Sequence, residues 1–534
     1  MGSVAIRNAE QFIALGLGVN LVLQRLSSVY VALLLTVFLL AIPPGGYGVI
    51  TEFKYMLFLL ICGGYVVTTI LCRTRRIFAE GSLLAQNRDY IRETSPAVFF
   101  LLIFGAFTFL SAVLSRYPGT FIGTFRKEGT LTIVIYIFMC IFLSKYLRPR
   151  LWMLGLFGLG LGLVCILSFV QLTGANPFGL YPPGHNFYGA GIYYCGVFLG
   201  TIGNVGLGAA FISLALGVLA MALIKLTNIH RWWLTIPFSL TVLLIFELSV
   251  GAALVALTLG TLFMLPVAVT NRYTLTNTLL VFALIFLGAF LSQLLVFGDG
   301  YVRFGHFSPS LNFAIVFLTL LAAIATKSKW LEEISAKNYR IATLIVIMLI
   351  LCTTFLYLWF YNGHSSGMVW EASEVLRGNW NDTFGSRRIF IWRNVLENIH
   401  METLLLGTGP DTLGYWPIEP FSRYIDAIGR TVFTGIDAAH NEYLHILATG
   451  GLLSLLSYMG ALFWAMIKWL RAPDNTLSAI SGTGMLFYFI QAFFGISQFL
   501  TAPFFWTCFA VFIHSQKTNG VRKREIFPSY SLTP

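Results

Sequence analysis

The chain has 534 residues, 57% of them hydrophobic and only 10% charged, with a mean hydropathy of +0.79. A soluble globular domain carries about 25% charged residues, so this composition excludes one and points to a polytopic helical membrane protein. The net charge of +12 would suit a nucleic-acid partner, but the cations fall in alternate loops between apolar runs, which is a membrane-topology pattern.

Apolar runs of about 20 residues, enough to cross a bilayer, recur from Val29 to Ile513. They begin near Ser28, Phe53, Ala97, Thr130, Leu151, Val205, Trp232, Gly251, Thr278, Leu311, Ile341, Tyr443, Gly482 and Ala502. The expected fold is all-α, with about fourteen transmembrane helices and one large extracytoplasmic loop. Residues 1–361 form a transmembrane body with short loops, 362–442 the large loop, 443–514 the C-terminal helices and 515–534 a basic tail. The run Gly482 to His514 is read as a hairpin, because Pro503 follows a short polar break. The seven cysteines form no CxxC pair, which fits small core residues better than a disulfide or metal framework.

One set of alternate loops carries Arg73, Arg75, Arg76, Arg88, Arg92, Lys145, Arg148, Arg150, Lys225, Arg231, Arg272, Lys327, Lys337, Arg340, Lys468 and Arg471. Basic loops stay in the cytoplasm. Both termini are basic, which places them inside too and requires an even number of spans. Four regions then face outward: Arg116 to Gly129, the uncharged loop Thr173 to Asn204, Phe297 to Ser310, and Asn362 to Glu442.

The last of these is too long for a plain connector and holds ten of the 22 acidic residues. Within it, Arg388 to His400 has apolar positions at helical spacing, predicting an amphipathic helix with Ser386 as N-cap. Gly407-Thr408-Gly409-Pro410 marks a sharp turn. His440 stands where this wet segment re-enters the apolar phase, crowded by Asp437, Asn441, Glu442 and His445. Partial desolvation there favours a neutral, proton-accepting imidazole; the plainer alternative is a histidine at a helix start. Arg126-Lys127-Glu128-Gly129 places cations on the outer side, against the inside bias. Either an anionic ligand or a pairing with Glu128 or the large loop accounts for them. The uncharged loop, with Tyr181, His185 and Asn204, reads as a groove for a lipid tail or a sugar, or as ordinary interfacial aromatics. Glu247, near the outer end of an apolar run, is a functional or a paired residue.

No DxD pair, HExxH, Walker loop or GxSxG occurs, and His440 and His445 are spaced off a common helix face; no metal and no cofactor is expected. What remains is arginine, the bidentate binder of phosphate, with a neutral histidine and carboxylates. Arginines can neutralise a departing diphosphate while a histidine takes a proton from an acceptor hydroxyl. That set fits glycosyl transfer from a lipid diphosphate outside the cell.

The ordered stretches Arg126-Lys127-Glu128-Gly129, Gly200-Thr201-Ile202-Gly203-Asn204, Gly385-Ser386-Arg387-Arg388 with Trp392, Leu406-Gly407-Thr408-Gly409-Pro410, and Ala439-His440-Asn441-Glu442-Tyr443-Leu444 followed by Gly450-Gly451-Leu452 resemble those of the bacterial O-antigen ligase and polymerase family of membrane glycosyltransferases. The resemblance implies a GT-C-type helical fold and metal-independent, inverting transfer from an undecaprenyl-diphosphate-linked glycan at the cytoplasmic membrane. It maps the family's loop arginine onto Arg388, its histidine onto His440 and an earlier outer arginine onto Arg126. Two departures stand out. Many members carry Ser-Arg-Gly where this chain has Ser249-Val250-Gly251, and the usual Gly-Asn-Pro-Asn is Gly203-Asn204-Val205-Gly206. Either Arg387 or Arg303 then substitutes for the missing cation, or the donor differs.

The expected catalytic set is His440, Arg388, Asp437 and Asn441. The expected substrate-binding set is Arg126, Glu128, Arg387, Arg303, Tyr181, His185, Asn204 and Glu442. Partners are the lipid-linked donor, an acceptor glycan or lipid, and membrane lipids. A ligase leads, a polymerase of lipid-linked repeat units is the near rival, and a non-enzymatic transporter or a protein-docking role for the large loop are the readings from other classes.

Overall fold

The computed structural model describes residues 2–80, 95–124, 126–194, 196–295, 309–425 and 429–517. Among them, nine helices are long and apolar enough to cross a membrane. Each predicted start falls in a helical segment, but five of these are shorter: Thr130–Tyr146, Gly251–Phe263, Pro309–Ala325, Thr476–Ala492 and Ala502–Lys517. Length therefore supports nine crossings directly, fewer than the fourteen expected.

The helix Val205–Lys225 is the centre of the bundle, with 94% of its apolar window buried. Its start is capped by Asn204, whose side chain accepts from the Gly206 and Leu207 N–H groups at 2.9 and 3.3 Å. Small residues let its neighbour approach closely, as within membranes generally. A Cβ at Gly217 would sit 2.6 Å from the Thr483 carbonyl oxygen and 3.0 Å from the Gly484 Cα. At the other extreme, Ala336–Trp359 has 11% of its window buried, and its exposed Leu and Ile side chains form a surface for lipid tails.

Four segments meet at one end of the bundle. They are the turn before Thr130, the loop before Val205, the insert between Trp359 and Glu442, and the break between Ala492 and Ala502. The insert carries the helices Met368–Leu376 and Phe384–Glu397 and the antiparallel pair Phe421–Ile425 with Arg430–Thr434. Its small core of Ile391, Val395, Leu413, Trp416, Ile436 and Ala439 is completed by Ala448 of the following helix. The expected helix is present, but Ser386 is not its N-cap. Gly385, Ser386 and Arg387 run left-handed, at φ +59°, +57° and +67°, and regular helix resumes at Arg388.

The long helix Glu442–Arg471 is broken at Gly451, φ +80°. The glycine turn from the insert docks there: the Gly409 N–H donates to the Thr449 carbonyl at 2.8 Å, and the Leu452 N–H to the Leu404 carbonyl at 2.8 Å. A Cβ on Gly407 would collide with the Thr449 carbonyl. Gly407 and Gly409 thus serve close backbone packing, and neither borders the polar cavity described next.

Candidate active site

A cavity of about 250 Å³ opens where these segments meet. Arg126, Asn204, Arg388, Asp437, His440 and Gln498 all line it. Arg126 reaches Asp437 with its guanidinium, NH2 to Oδ1 2.6 Å. Its own carbonyl accepts from Gln498 Nε2 at 3.2 Å, so the polar break before Pro503 holds the arginine turn. Arg388 donates from Nε to the Phe494 carbonyl at 3.0 Å and from NH1 to the Gly385 carbonyl at 2.7 Å. Both partners are backbone oxygens, which fix the guanidinium without cancelling its charge. His440 adopts φ +48°, a region rare for a non-glycine residue and one that persists only where surroundings impose it.

The electrostatics follow from that convergence. Burial pushes the His440 imidazole down to about 4; the Arg126 and Arg388 charges add to the drop and Asp437 opposes it. It is therefore neutral at pH 7. Burial alone would raise the Asp437 carboxyl, but the charge and hydrogen bond of Arg126 outweigh it and hold the group below its ordinary value. Burial also lowers Arg388. Two guanidinia against one carboxylate leave the cavity net positive, a setting for an anion with several oxygens.

The structure divides the other expected site residues. Glu128 and Glu442 lie in a second, smaller cavity of about 70 Å³ behind Arg126, with Asp411 and His445. Glu128 accepts from the Tyr136 hydroxyl at 2.8 Å; Glu442 accepts from Tyr458 and Tyr488 at 2.6 and 3.0 Å. Asn441 caps the following helix, Oδ1 accepting from the Leu444 N–H at 3.0 Å. Tyr181 is buried with its hydroxyl on the Phe198 carbonyl at 2.7 Å. His185 sits against Tyr193, ring centroids 5.4 Å apart. Arg387 lies over the Phe421 ring at 5.3 Å. None of Asn441, Tyr181, His185 or Arg387 lines the larger cavity, because each is engaged by its own segment. Arg303 lies outside the described residues. Val250, at the position of the arginine that the resemblance leads one to expect, lines the cavity, so Arg126 and Arg388 are its cations among the described residues.

Sequence reasoning missed three contributors. Asp411 accepts from the Thr124 N–H at 2.5 Å and from its hydroxyl at 3.1 Å, which anchors the turn carrying Arg126. Gln498 holds the other side of that turn. Phe494 acts through its carbonyl, which no side-chain motif can reveal. An aspartate just after a Gly-Pro turn, and glutamine in a break between apolar runs, were the available signals. Among the described residues, no three His, Cys, Asp or Glu side chains converge closely enough to hold a metal ion.

Taken together, this is a polytopic helical membrane protein with a cationic, histidine-bearing cavity at one end of its bundle. Residues 304–459 match the O-antigen ligase family, a stretch that contains Arg388, Asp437, His440 and Glu442. Over that region the chain resembles an O-antigen ligase- or polymerase-like family, which the match supports. No curated protein matches the chain.

Proposed function

We propose that the protein is a membrane glycan ligase that moves a glycan from an undecaprenyl-diphosphate carrier to an acceptor hydroxyl. The cavity then faces the extracytoplasmic side of a bacterial cytoplasmic membrane, with about fourteen helices spanning the bilayer and both termini inside. The observation that carries this reading is that His440, Arg388 and Arg126 line one cavity. His440 removes the acceptor O–H proton as general base. The acceptor oxygen bonds to the anomeric carbon as the bond from that carbon to the phosphate oxygen breaks. Arg388 and Arg126 hold the departing diphosphate, the role a divalent cation fills in other transferases. Asp437 orients Arg126 and offsets part of its charge. A transporter would place its ionisable groups near mid-membrane between broken helices; the convergence at one end of the bundle favours transfer.

The test is purified protein with a lipid-linked oligosaccharide, with and without a separate acceptor. A single adduct that requires the acceptor supports the ligase. A ladder of lengths without acceptor makes it the polymerase of the same family. Transfer is expected to survive excess chelator; loss restored by a divalent ion would refute arginine as the sole diphosphate counter-charge. Trp380 is 62% exposed, and a cysteine there is expected to react with an impermeant thiol reagent from outside intact spheroplasts. Reaction only after the membrane is opened would place the insert on the wrong side.

A further inference from the structure

Trp392 lies one helical turn beyond Arg388, on the same face of the insert helix. Its indole Nε1–H donates to the Ala439 carbonyl at 3.0 Å, the peptide that leads directly into His440. Its ring meets Phe493 edge-on at 5.5 Å and Phe494 at 6.2 Å. Phe494 is the residue whose carbonyl receives Arg388 Nε. One side chain therefore touches all three segments that place Arg388 and the histidine: the insert helix, the irregular approach to His440 and the break after Ala492. The peptide it grips precedes a left-handed histidine, a conformation that needs outside support.

We infer that Trp392 is a positioning residue that fixes the His440 imidazole relative to Arg388 and Arg126, through its hydrogen bond to the Ala439 carbonyl. This rests on the roles proposed above for His440 and Arg388. Trp392 does not border the cavity and acts through its neighbours. With the bond removed, the peptide before His440 is free to rotate and the imidazole leaves its place. A misplacement of about 1 Å in a catalytic group costs about a hundredfold in rate.

The test is Trp392→Phe, which keeps a packing ring and deletes the N–H. Turnover is expected to fall about a hundredfold while the donor KM changes less than about threefold, because Arg388 keeps its own backbone bonds. A second readout needs no substrate: the pH midpoint for diethyl pyrocarbonate modification of His440, read by peptide mass spectrometry. The groups facing His440 are Arg126 from the turn before Thr130, Arg388 from the insert helix, Asp437 from its own segment and His445 from the next helix. Displacement from the two guanidinia raises that midpoint toward the ordinary histidine value. A role in stability alone leaves it in place. An unmoved midpoint, or turnover within twofold of wild type, overturns the inference. If Trp392→Phe fails to accumulate, the sulfur isostere 3-benzothienylalanine at this position keeps the bicyclic shape without the N–H and decides the question. Activity surviving in His440→Ala would instead remove the catalytic role on which the inference stands.

Discussion

Two cavities share Arg126 as a wall, and they treat the same residue types differently. In the smaller one, the carboxylates are engaged from within: Glu128 by Tyr136, Glu442 by Tyr458 and Tyr488, Asp411 by Thr124. The tyrosines come from bundle helices, so these bonds join the turn and the insert to the membrane body. In the larger one, the ion pair of Arg126 with Asp437 is the side-chain link between functional candidates, and Arg388 leans on backbone oxygens. The lesson is that charge near a membrane surface is ambiguous until its partners are known. A carboxylate saturated by hydroxyl donors is architecture; a guanidinium fixed by carbonyls still carries its charge toward open space. His445 breaks the pattern, since its Nδ1 is buried in the smaller cavity's wall without a hydrogen-bond partner among the described residues.

The strongest way to break this contrast is to exchange the expected consequences. His440→Ala is expected to lower transfer about a thousandfold, within the range for loss of a general base, with expression and detergent stability close to wild type. Near-normal turnover would end the catalytic assignment. Arg388→Lys comes next, at about ten- to a hundredfold, because an ammonium cannot reproduce the planar fork that grips both a carbonyl and a phosphate. Unchanged affinity for a lipid diphosphate would exclude that contact. The acid limb of kcat/KM, which reports the free enzyme, should lie near pH 4 in wild type, where His440 protonates. Arg388→Gln removes one of the charges that resist protonation, so the imidazole accepts a proton more readily and the limb moves to higher pH. A limb that stays put would show that Arg388 does not act on His440 through its charge.

The insert and its amphipathic helix were legible because apolar periodicity and a sharp drop in hydropathy are local signals. His440 stood out because it marks a boundary between wet and apolar sequence, whereas Arg388, inside the wet insert, stood out through the resemblance that maps the family's loop arginine onto it. Partnerships were not. Nothing local in Glu442 announces two tyrosines, one 16 and one 46 residues away, so it read as part of the histidine cluster. Asp437 and Arg126 are 311 positions apart, and only the fold joins them. Gly450-Gly451 was visible as a motif, yet its function as a helix break that receives the Gly407–Pro410 turn depends on backbone geometry. The fourteen-span count leaned on apolar runs whose helices include several of 17 residues or fewer; such lengths need thinner bilayer or flanking structure to cross.

The smallest effects lie on the structural side of the contrast. Glu442→Ala should cost about 1–3 kcal/mol of stability by leaving two buried tyrosine hydroxyls without their acceptor. Turnover per folded molecule should stay within about threefold. A large loss of turnover at wild-type stability would move Glu442 to the chemical side.

Glu128→Gln sharpens the comparison most finely, through pH. Burial raises the Glu128 carboxyl to about 8; the Tyr136 bond pulls it down less than burial pushes it up. The folded protein therefore keeps this group protonated at neutral pH, while the unfolded chain releases its proton near the ordinary 4.5. Between those values the unfolded state binds fewer protons, so stability falls as pH rises through that window and levels off above about 8. Glutamine is neutral throughout and removes that component. The melting curves of wild type and variant should converge near pH 4.5, separate progressively as pH rises through that window and stay at their widest separation above about 8, with the glutamine form the more stable. The donor KM should not move, because the carboxamide keeps an oxygen for Tyr136 and Glu128 lines the cavity behind Arg126. A KM that rises in the variant at every pH would return Glu128 to the substrate-binding set the sequence suggested, and would mean that the smaller cavity opens to ligand.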